Sequence, residues 1–526
     1  MRRAHEVAKV RAAESALMAT LPEGALMQRA AFGLASVCAR LLGQAYGAQV
    51  VVLTGSGDNG GDALYAGALL ARRGAAVRAV TAGSRTHQGG AGALRAAGGL
   101  LFGAADRGVP DMIAGADLIV DGMLGIGGKG GLRGPYASLA AQAARSPGIV
   151  VAVDLPSGID ADTGVLGGPA VQADVTVTFG TWKPGLLIDP GASQAGVTEL
   201  IDIGLGPYLE APDLIAFQSA DVGALLPVPG AESDKYRRGV LGVVAGSDRY
   251  TGAAWLSVGG AVRGGAGMIR LVSRPPAATV VRQHWPEAVI TEIPEGDADA
   301  GLLRAAGRVQ AWTAGPGMGT GPYSARLLAQ VLRSDVPVLV DADGLTLLAA
   351  GRGLLPRGAP TLLTPHAGEL ARLLGADRDD VEARRIEHAR KAAGELGATV
   401  LLKGSTTVIA SPQPGTPLLV NATGTPWLAT AGTGDVLSGL AGSLLAQGLD
   451  AAEAAAAAAY LHGLAARLAA AGSGAGTGEN GGGSFGAGLS VPAGDGPVAA
   501  PIGASDVVHA LPAAIRVVRA AARQAV

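Results

Sequence analysis

The chain of 526 residues contains one cysteine, Cys38, and six lysines, at positions 9, 129, 183, 235, 391 and 403. A single thiol excludes an internal disulfide and suits a reducing compartment. The shortage of lysine reflects a bias towards arginine, so each lysine that survives it stands out. Aromatic residues make up only 3% of the chain, whereas glycine occurs 84 times. Cores must therefore be built from Ala, Val and Leu with close backbone approaches. Neither sign of charge is in excess, with 41 Lys and Arg against 43 Asp and Glu. That balance argues against a general electrostatic role on nucleic acid or membrane and leaves recognition of a single anionic metabolite. The N-terminus, MRRAHEVAKVRAAE, lacks the apolar core of a secretion signal. Ala451 to Ala471 is the most apolar long run, but Glu453, His462 and Arg467 interrupt it, which predicts a buried Ala-rich helix. The seven histidines show no metal-ligand spacing. A cytoplasmic protein is expected.

What is present is organised around Thr430 to Gly439, TAGTGDVLSG. Glycines at 432 and 434 permit tight turns and close approach of a ligand to the backbone. The helix they open presents free N–H groups and a dipole to an anion. Asp435 in that mouth is a candidate base for a hydroxyl attacking phosphorus, with a simple N-capping role as the alternative.

The length predicts two to four domains. In the first half, helical periodicity over 6–43 breaks at 21–24, and the strand Gln49–Thr54 runs into GSGDNGGD and a helix from Ala63 to Arg72. Further apolar runs, DLIVD, IVVAVD, DVTVTF and VTELIDI, alternate with helical segments and predict a parallel, doubly wound sheet. Ligands of such sheets sit beyond the strands' carboxyl ends, where Asn59, Asp121, Asp154 and Ser157 fall. Gly55-x-Gly57-x-x-Gly60 matches a dinucleotide fingerprint, but no acid stands between Asp62 and Asp106 to hold a ribose. Arg72, Arg73 or Arg78 could still receive a 2′-phosphate. A loop carrying Asp58 and Asp62 is also a poor pyrophosphate cradle without a cation. Oxygens of Asn59, Asp121 and Ser157 could converge on a hard monovalent cation, with turn-capping as the alternative for Asp121 and Asp154.

Residues 207–233 read as the connection between domains, with a boundary near 215. The second half repeats the pattern: VLGVVA into GSDRYTGAA, then AGPGMGTG, PVLVDADG and TLLTPHAGEL. Pro365 suits a first helical turn capped by Thr364, holding His366 at the helix mouth. TVLLKGSTTVIA puts Lys403 at a strand end with Ser405, Thr406 and Thr407 as hydroxyl donors. Four small-residue loops and one lysine at successive strand ends predict one phosphate-bearing ligand site.

GSGDNGGD, DGMLGIGGKG and AVDLPSGIDADTG together resemble the NAD(P)H-hydrate epimerase domain, a Rossmann-like doubly wound fold, over residues 1 to about 210. The resemblance implies interconversion of the R and S forms of NADPH hydrated at C6 of the nicotinamide. Asp58, Asn59, Gly60, Gly61 and Asp62, with Gly125, Ile126, Gly127, Gly128, Lys129, Gly130 and Gly131, would then line the hydrate. Asp154 would contact it as acid–base, and Asn59, Asp121 and Ser157 would hold potassium. Asp58 stands where the family usually has Asn, and Ala63 where it has Gly.

TPHAGE, KGSTT and AGTGDVLSG resemble the ribokinase-like, ADP-dependent NAD(P)H-hydrate dehydratase domain over about 220–515. By that likeness Ala253, Gly317, His366 and Asp435 would contact the S-hydrate. Lys403, Gly404, Ser405, Thr406, Thr407 and Gly434 would hold ADP, with Mg2+ on the nucleotide. The implied architecture is α/β, with an epimerase domain over 1–215 and a dehydratase domain over 216–526. A flexible Gly-rich insertion is expected at about 472–503. NADHX, NADPHX and ADP are the implied partners, without nucleic acid or membrane, and a homo-oligomer is expected. The alternatives are a ribokinase-like kinase with a regulatory nucleotide-binding domain, and a dehydratase whose N-terminal domain only binds.

Overall fold

The computed structural model describes residues 1–83, 85–293, 301–472 and 499–525. The chain divides into two compact units, Arg2–Leu214 and, together with Met1, Ile215–Val526. The Gly-rich stretch expected to be a flexible insertion falls mostly outside the described residues.

The N-terminal unit is built on a seven-stranded sheet. In spatial order its strands are Leu100–Gly103, Ala76–Thr81, Gln49–Thr54, Leu118–Gly122, Ile149–Val153, Val175–Phe179 and Val197–Ile201, all parallel. Val175–Phe179 is buried along its whole length, as a strand covered on both faces should be. The chain starts in the middle, runs out to one edge and crosses back, so a topological switch point opens between Gln49–Thr54 and Leu118–Gly122. Asn59 follows the first of these strands and Asp121 lies near the end of the second.

One expectation is corrected here. GSGDNGGD is not a loop leading to a helix at Ala63, because the helix begins at Asp58 and runs to Arg72. A Cβ on Gly60 would lie 2.4 Å from the Gly55 carbonyl and 2.6 Å from Thr54 Oγ1. Only glycine lets the helix start so close to the strand, and that packing overrides glycine's poor helix propensity.

In the C-terminal unit the strands lie in the order Leu418–Asn421, Thr407–Ala410, Thr399–Leu402, Thr361–Leu363, Val338–Val340, Ala311–Ala314, Val240–Val244, Met268–Ser273, Val289–Glu292. Thr407–Ala410 pairs antiparallel with both its neighbours, and the other pairs are parallel. The switch point falls between Val240–Val244 and Ala311–Ala314. Residues 207–233, expected to be a plain connection, contain the strand Leu214–Ala216 and the helix Ser219–Leu225. A reciprocal cap between Gln218 and Asp221 starts that helix.

The helix Thr433–Ala446 carries the TAGTGDVLSG stretch into the centre of this unit and is buried from Val436 to Ala446. It lies against Thr251–Arg263 at backbone distance: a Cβ on Gly439 would stand 1.8 Å from the Ser257 carbonyl, and one on Gly260 2.2 Å from that of Val436. Neither acceptor is a side chain that could swing away. Gly439→Ala should therefore force the helices apart and lower the denaturant midpoint of this unit by the equivalent of about 1–3 kcal/mol. An unchanged transition in a guanidinium titration would contradict the close approach.

Two described helices, Ala25–Leu42 and Ala451–Ala471, are long and apolar enough to cross a membrane. The second is a core helix with 78% of its apolar window buried. The first places Leu34, Ala35 and Cys38 in the N-terminal core and leaves Phe32 outside.

Candidate active sites

In the N-terminal unit Asp121 is fully buried and accepts hydrogen bonds from Ser157 N at 2.8 Å, Ser157 Oγ at 2.7 Å and Met123 N at 3.2 Å. Burial pushes its pKa up to about 6 against the pull of those bonds. Ser157 Oγ in turn accepts from Leu124 N at 2.8 Å. The neighbouring Gly125 faces Asn59, whose Oδ1 would be 3.0 Å from a Cβ there. The three residues proposed for potassium thus surround the 121–125 turn, and Asn59 Nδ2 is buried without a hydrogen-bond partner. The remainder of the glycine loop is more open, with Gly127, Lys129 and Gly130 exposed and Ile126 and Gly128 half-buried. Gly131 closes it against Gly168, whose Cα leaves no room for a Cβ.

Asp154 sits at φ 66°, a left-handed conformation unusual for a residue other than glycine. It forms a short ion pair with Lys183 and accepts from Thr178 Oγ1 at 3.2 Å and Phe179 N at 3.3 Å. Lys183 is 1% exposed and also donates to Thr178 Oγ1 and the Phe179 carbonyl, each at 3.0 Å. Asp62 has a buried, unpartnered Oδ1. Burial, then the charges of Asp154, Asp58 and Glu14, hold it well above the usual carboxylate range against Lys183. Burial raises Glu14 as well. One ammonium thus stands among four carboxyl groups in different environments, an arrangement suited to dividing acid and base roles.

In the C-terminal unit Gly432, at φ 90°, turns the chain into the helix, and Thr433 Oγ1 donates to the carbonyls of Leu428 (2.9 Å) and Thr430 (3.0 Å). Asp435 follows in the first turn. Burial and then Asp341 push its pKa up to about 7, with Lys403 opposing and Asp343 reinforcing. The helix mouth would lower that value, so desolvation and the like charge outweigh the dipole. Lys403 Nζ donates to Asp341 Oδ1 at 2.8 Å and lies 3.9 Å from Glu369. Ser438 Oγ donates to Asp341 Oδ2 at 2.6 Å. Burial works against the Lys403 charge, but Asp341, Glu369 and Asp435 hold the ammonium above its ordinary value. A Cβ on Gly434 would be 3.6 Å from Lys403 Nζ, so Gly434, Asp435 and Lys403 share one mouth.

His366 differs from the expectation. It caps the helix Ala367–Leu374 itself: Gly368 N donates to its Nδ1 at 3.0 Å, and Glu369 accepts from its backbone N at 2.8 Å. Thr364 is not the cap and Pro365 lies outside the first turn. The Pro365 carbonyl instead accepts from Lys403 N at 2.8 Å, extending the sheet by one rung. Burial lowers the His366 pKa, with Glu369 opposing, which favours a neutral ring. Gly404–Thr406 form the turn of a hairpin tied down by Arg385, whose guanidinium donates to the carbonyls of Lys403 (2.8 Å), Leu402 (3.2 Å) and Thr406 (3.3 Å). Ser405 is exposed and Thr407 half-buried, whereas Thr406 is buried.

Gly317, at φ 59°, lies against Ala253, whose Cβ would be 2.7 Å from a Cβ there. Both stand at the switch point, where Gly246 N donates to the Pro316 carbonyl at 2.8 Å. Asp343 accepts from Gly319 N at 2.8 Å and so connects this loop to the surroundings of Asp435. Beside it opens a cavity of about 290 Å³.

Reading the sequence missed Glu14 and Lys183 in the first site and Asp341, Glu369, Arg385 and Ser438 in the second. Scarcity marked Lys183, and its place after an apolar strand marked Asp341, but neither signal names the partner.

Two α/β units, each with a lysine–carboxylate pair at its sheet's carboxyl edge, define a two-site enzyme acting on small anionic ligands. The family model described as YjeF-related protein N-terminus matches residues 23–185, and that described as NAD(P)H-hydrate dehydratase matches residues 241–480. The bifunctional NAD(P)H-hydrate repair enzyme of Mycobacterium leprae is 50% identical, covering 90% of this chain and 95% of its own. Its counterpart in Moorella thermoacetica is 36% identical over 86% and 89%. A crystal structure of the ADP/ATP-dependent NAD(P)H-hydrate dehydratase from Bacillus subtilis is 29% identical, covering 57% of this chain and 96% of its own with a TM-score of 0.47. The chain belongs to the family of bifunctional NAD(P)H-hydrate repair enzymes.

Proposed function

We propose that this chain interconverts the R and S hydrates of NADH and NADPH in its N-terminal unit and dehydrates the S form in its C-terminal unit at the expense of ADP. The observation that carries the reading is Asp435, a half-buried carboxyl whose pKa is pushed up to about 7, beside Lys403 and the open backbone of Gly434. In the S-hydrate the C6 hydroxyl attacks the terminal phosphorus of ADP, its proton passes to Asp435, and AMP leaves. Phosphate then departs with the C6–O electron pair, pushed by the ring nitrogen lone pair, and loss of a C5 proton restores the dihydropyridine. Lys403 and the Gly434 backbone offer positive charge and close approach to the phosphates. Neutral His366 and the Ala253–Gly317 contact border the ring.

Mg2+ would arrive on the nucleotide and supply charge neutralisation. Such an ion needs only one or two carboxylates, and Asp341 and Glu369 beside Lys403 fit that need. A monovalent cation likewise suits the first site. Asp121 is a fully buried carboxyl that burial drives towards neutrality, and the oxygens of Asn59 and Ser157 lie around the same turn. In the epimerase site the other carboxyl groups would protonate the C6 hydroxyl, which departs as water as the ring nitrogen lone pair forms an iminium. Asp154, paired with Lys183, would accept the proton of the water that adds to the opposite face of C6. We place the enzyme in the cytoplasm as a homo-oligomer.

The test uses hydrated NADPH containing both epimers, incubated with the protein and ADP, and follows the return of the reduced nicotinamide absorbance. Full recovery is expected. Recovery that stops after the S form, beyond slow spontaneous epimerisation, would remove the epimerase role. A stable phosphorylated product would instead mark a kinase.

A further inference from the structure

The cavity of about 290 Å³ lies at the carboxyl ends of Val240–Val244 and Met268–Ser273, lined by Val244, Ser247, Arg274, Met318, Tyr323 and Leu327 among others. Met318 adjoins Gly317, and Ser247 heads the turn that leads to Ala253, so the cavity continues directly from the substrate contacts proposed above. Its polar groups are few and specific. The Tyr323 hydroxyl is buried with no hydrogen-bond partner. Arg274 also lines the cavity, from the end of Met268–Ser273, with Asp248 Oδ2 3.4 Å from its guanidinium. A buried hydroxyl without a partner costs free energy unless a ligand satisfies it.

The sheet supplies a ruler. Three strands separate Thr399–Leu402, which carries Lys403, from Val240–Val244. Four spacings of ~4.8 Å put the cavity about 19 Å along the sheet edge from the ADP mouth. Val338–Val340, which leads to Asp341, lies between. With ADP on the Lys403 side and the reacting ring at Asp435, the substrate's far end must extend in the other direction, towards this cavity.

On that reading of the enzyme, we propose that the cavity binds the adenosine end of the hydrated dinucleotide and that Arg274 with the Tyr323 hydroxyl holds the 2′-phosphate of hydrated NADPH. A guanidinium and a hydroxyl are matched donors for a phosphate dianion, and an arginine already shared with an exposed aspartate can turn to it. The C-terminal site thereby distinguishes the two hydrates.

Kinetics with both hydrates at saturating ADP test this. Arg274→Ala should raise KM for hydrated NADPH about tenfold or more, with a much smaller change for hydrated NADH and with kcat retained. Arg274→Lys should recover part of the loss, and Tyr323→Phe should raise the same KM several-fold. Equal rises for both hydrates, or none, would overturn the assignment. A second measurement needs no turnover: calorimetric binding of adenosine 2′,5′-bisphosphate in the presence of saturating ADP. The wild-type protein should bind it and Arg274→Ala should not. Wild-type protein that repairs hydrates but ignores this probe would overturn the cavity assignment alone. A wild type that repairs neither hydrate would overturn the function instead, and the probe would still decide the site.

Discussion

Asp435→Asn should reduce the dehydration rate by about 10²- to 10⁴-fold, the usual contribution of a positioned general base, while leaving epimerisation unchanged. The variant keeps the size and the first-turn position of the side chain, so the loss reports proton acceptance. The base must be ionised to act, and burial with the Asp341 charge holds it to about 7. Wild-type kcat for dehydration should therefore rise with pH through about 7 and level off above it, and the residual rate of the variant should lack that limb. Asp341→Asn sharpens the test. It removes the like charge and frees Lys403 towards Asp435, and both effects move the acid limb to lower pH. Stopped assays of both reactions from pH 5.5 to 9 measure this, and equal loss of epimerisation in Asp435→Asn would contradict two independent sites.

Lys183→Met should be the most damaging change in the N-terminal unit. It leaves the Asp154 carboxylate buried with only Thr178 and the Phe179 amide as partners. Removing one member of a buried pair costs about 3–5 kcal/mol, because the other charge stays uncompensated. Epimerase activity should be lost, since Asp154 would lose the partner that holds it in its left-handed conformation, while dehydration in the other unit persists. The double variant Asp154→Asn with Lys183→Met carries no stranded charge and should be more stable than Lys183→Met alone. Its epimerase activity should remain absent. A double-mutant cycle by denaturant unfolding separates the coupling from the two single losses. Wild-type stability in Lys183→Met would show that the pair contributes nothing.

Period and punctuation in the chain were enough to read its α/β class, its strands and the ends at which ligands gather. Gln49–Thr54 appears in the structure with the bounds that its run of valines marks. Val240–Val244 ends one residue short of the run that marks it. Alternation with helical segments implied parallel pairing, and parallel pairing places every functional loop on one edge. Family resemblance then attached a chemistry to those loops. Local signals were weakest where glycine served packing instead of turning. Gly60 and Gly61 look like a loop and lie in a helix, because close packing decides their conformation, Gly60 against Gly55 and Thr54 and Gly61 against His87 and Met27. At His366 the cap went to the imidazole, because the helix starts at Ala367, with Pro365 still tied to the sheet by the Lys403 amide.

The stretch TAGTGDVLSG by itself determined a glycine turn, a helix and an acid in its first turn. It could not determine whether that acid is a cap or a base, because the answer depends on charges far away in sequence. Asp341 and Lys403 reach Asp435 only through the order in which the strands lie side by side. In the same way Asp154 was legible at its strand end, but its lysine, 29 residues later, was not. Sequence fixes which groups exist and near which edge they fall; desolvation and the pairing of charges, which set their protonation, belong to the tertiary structure.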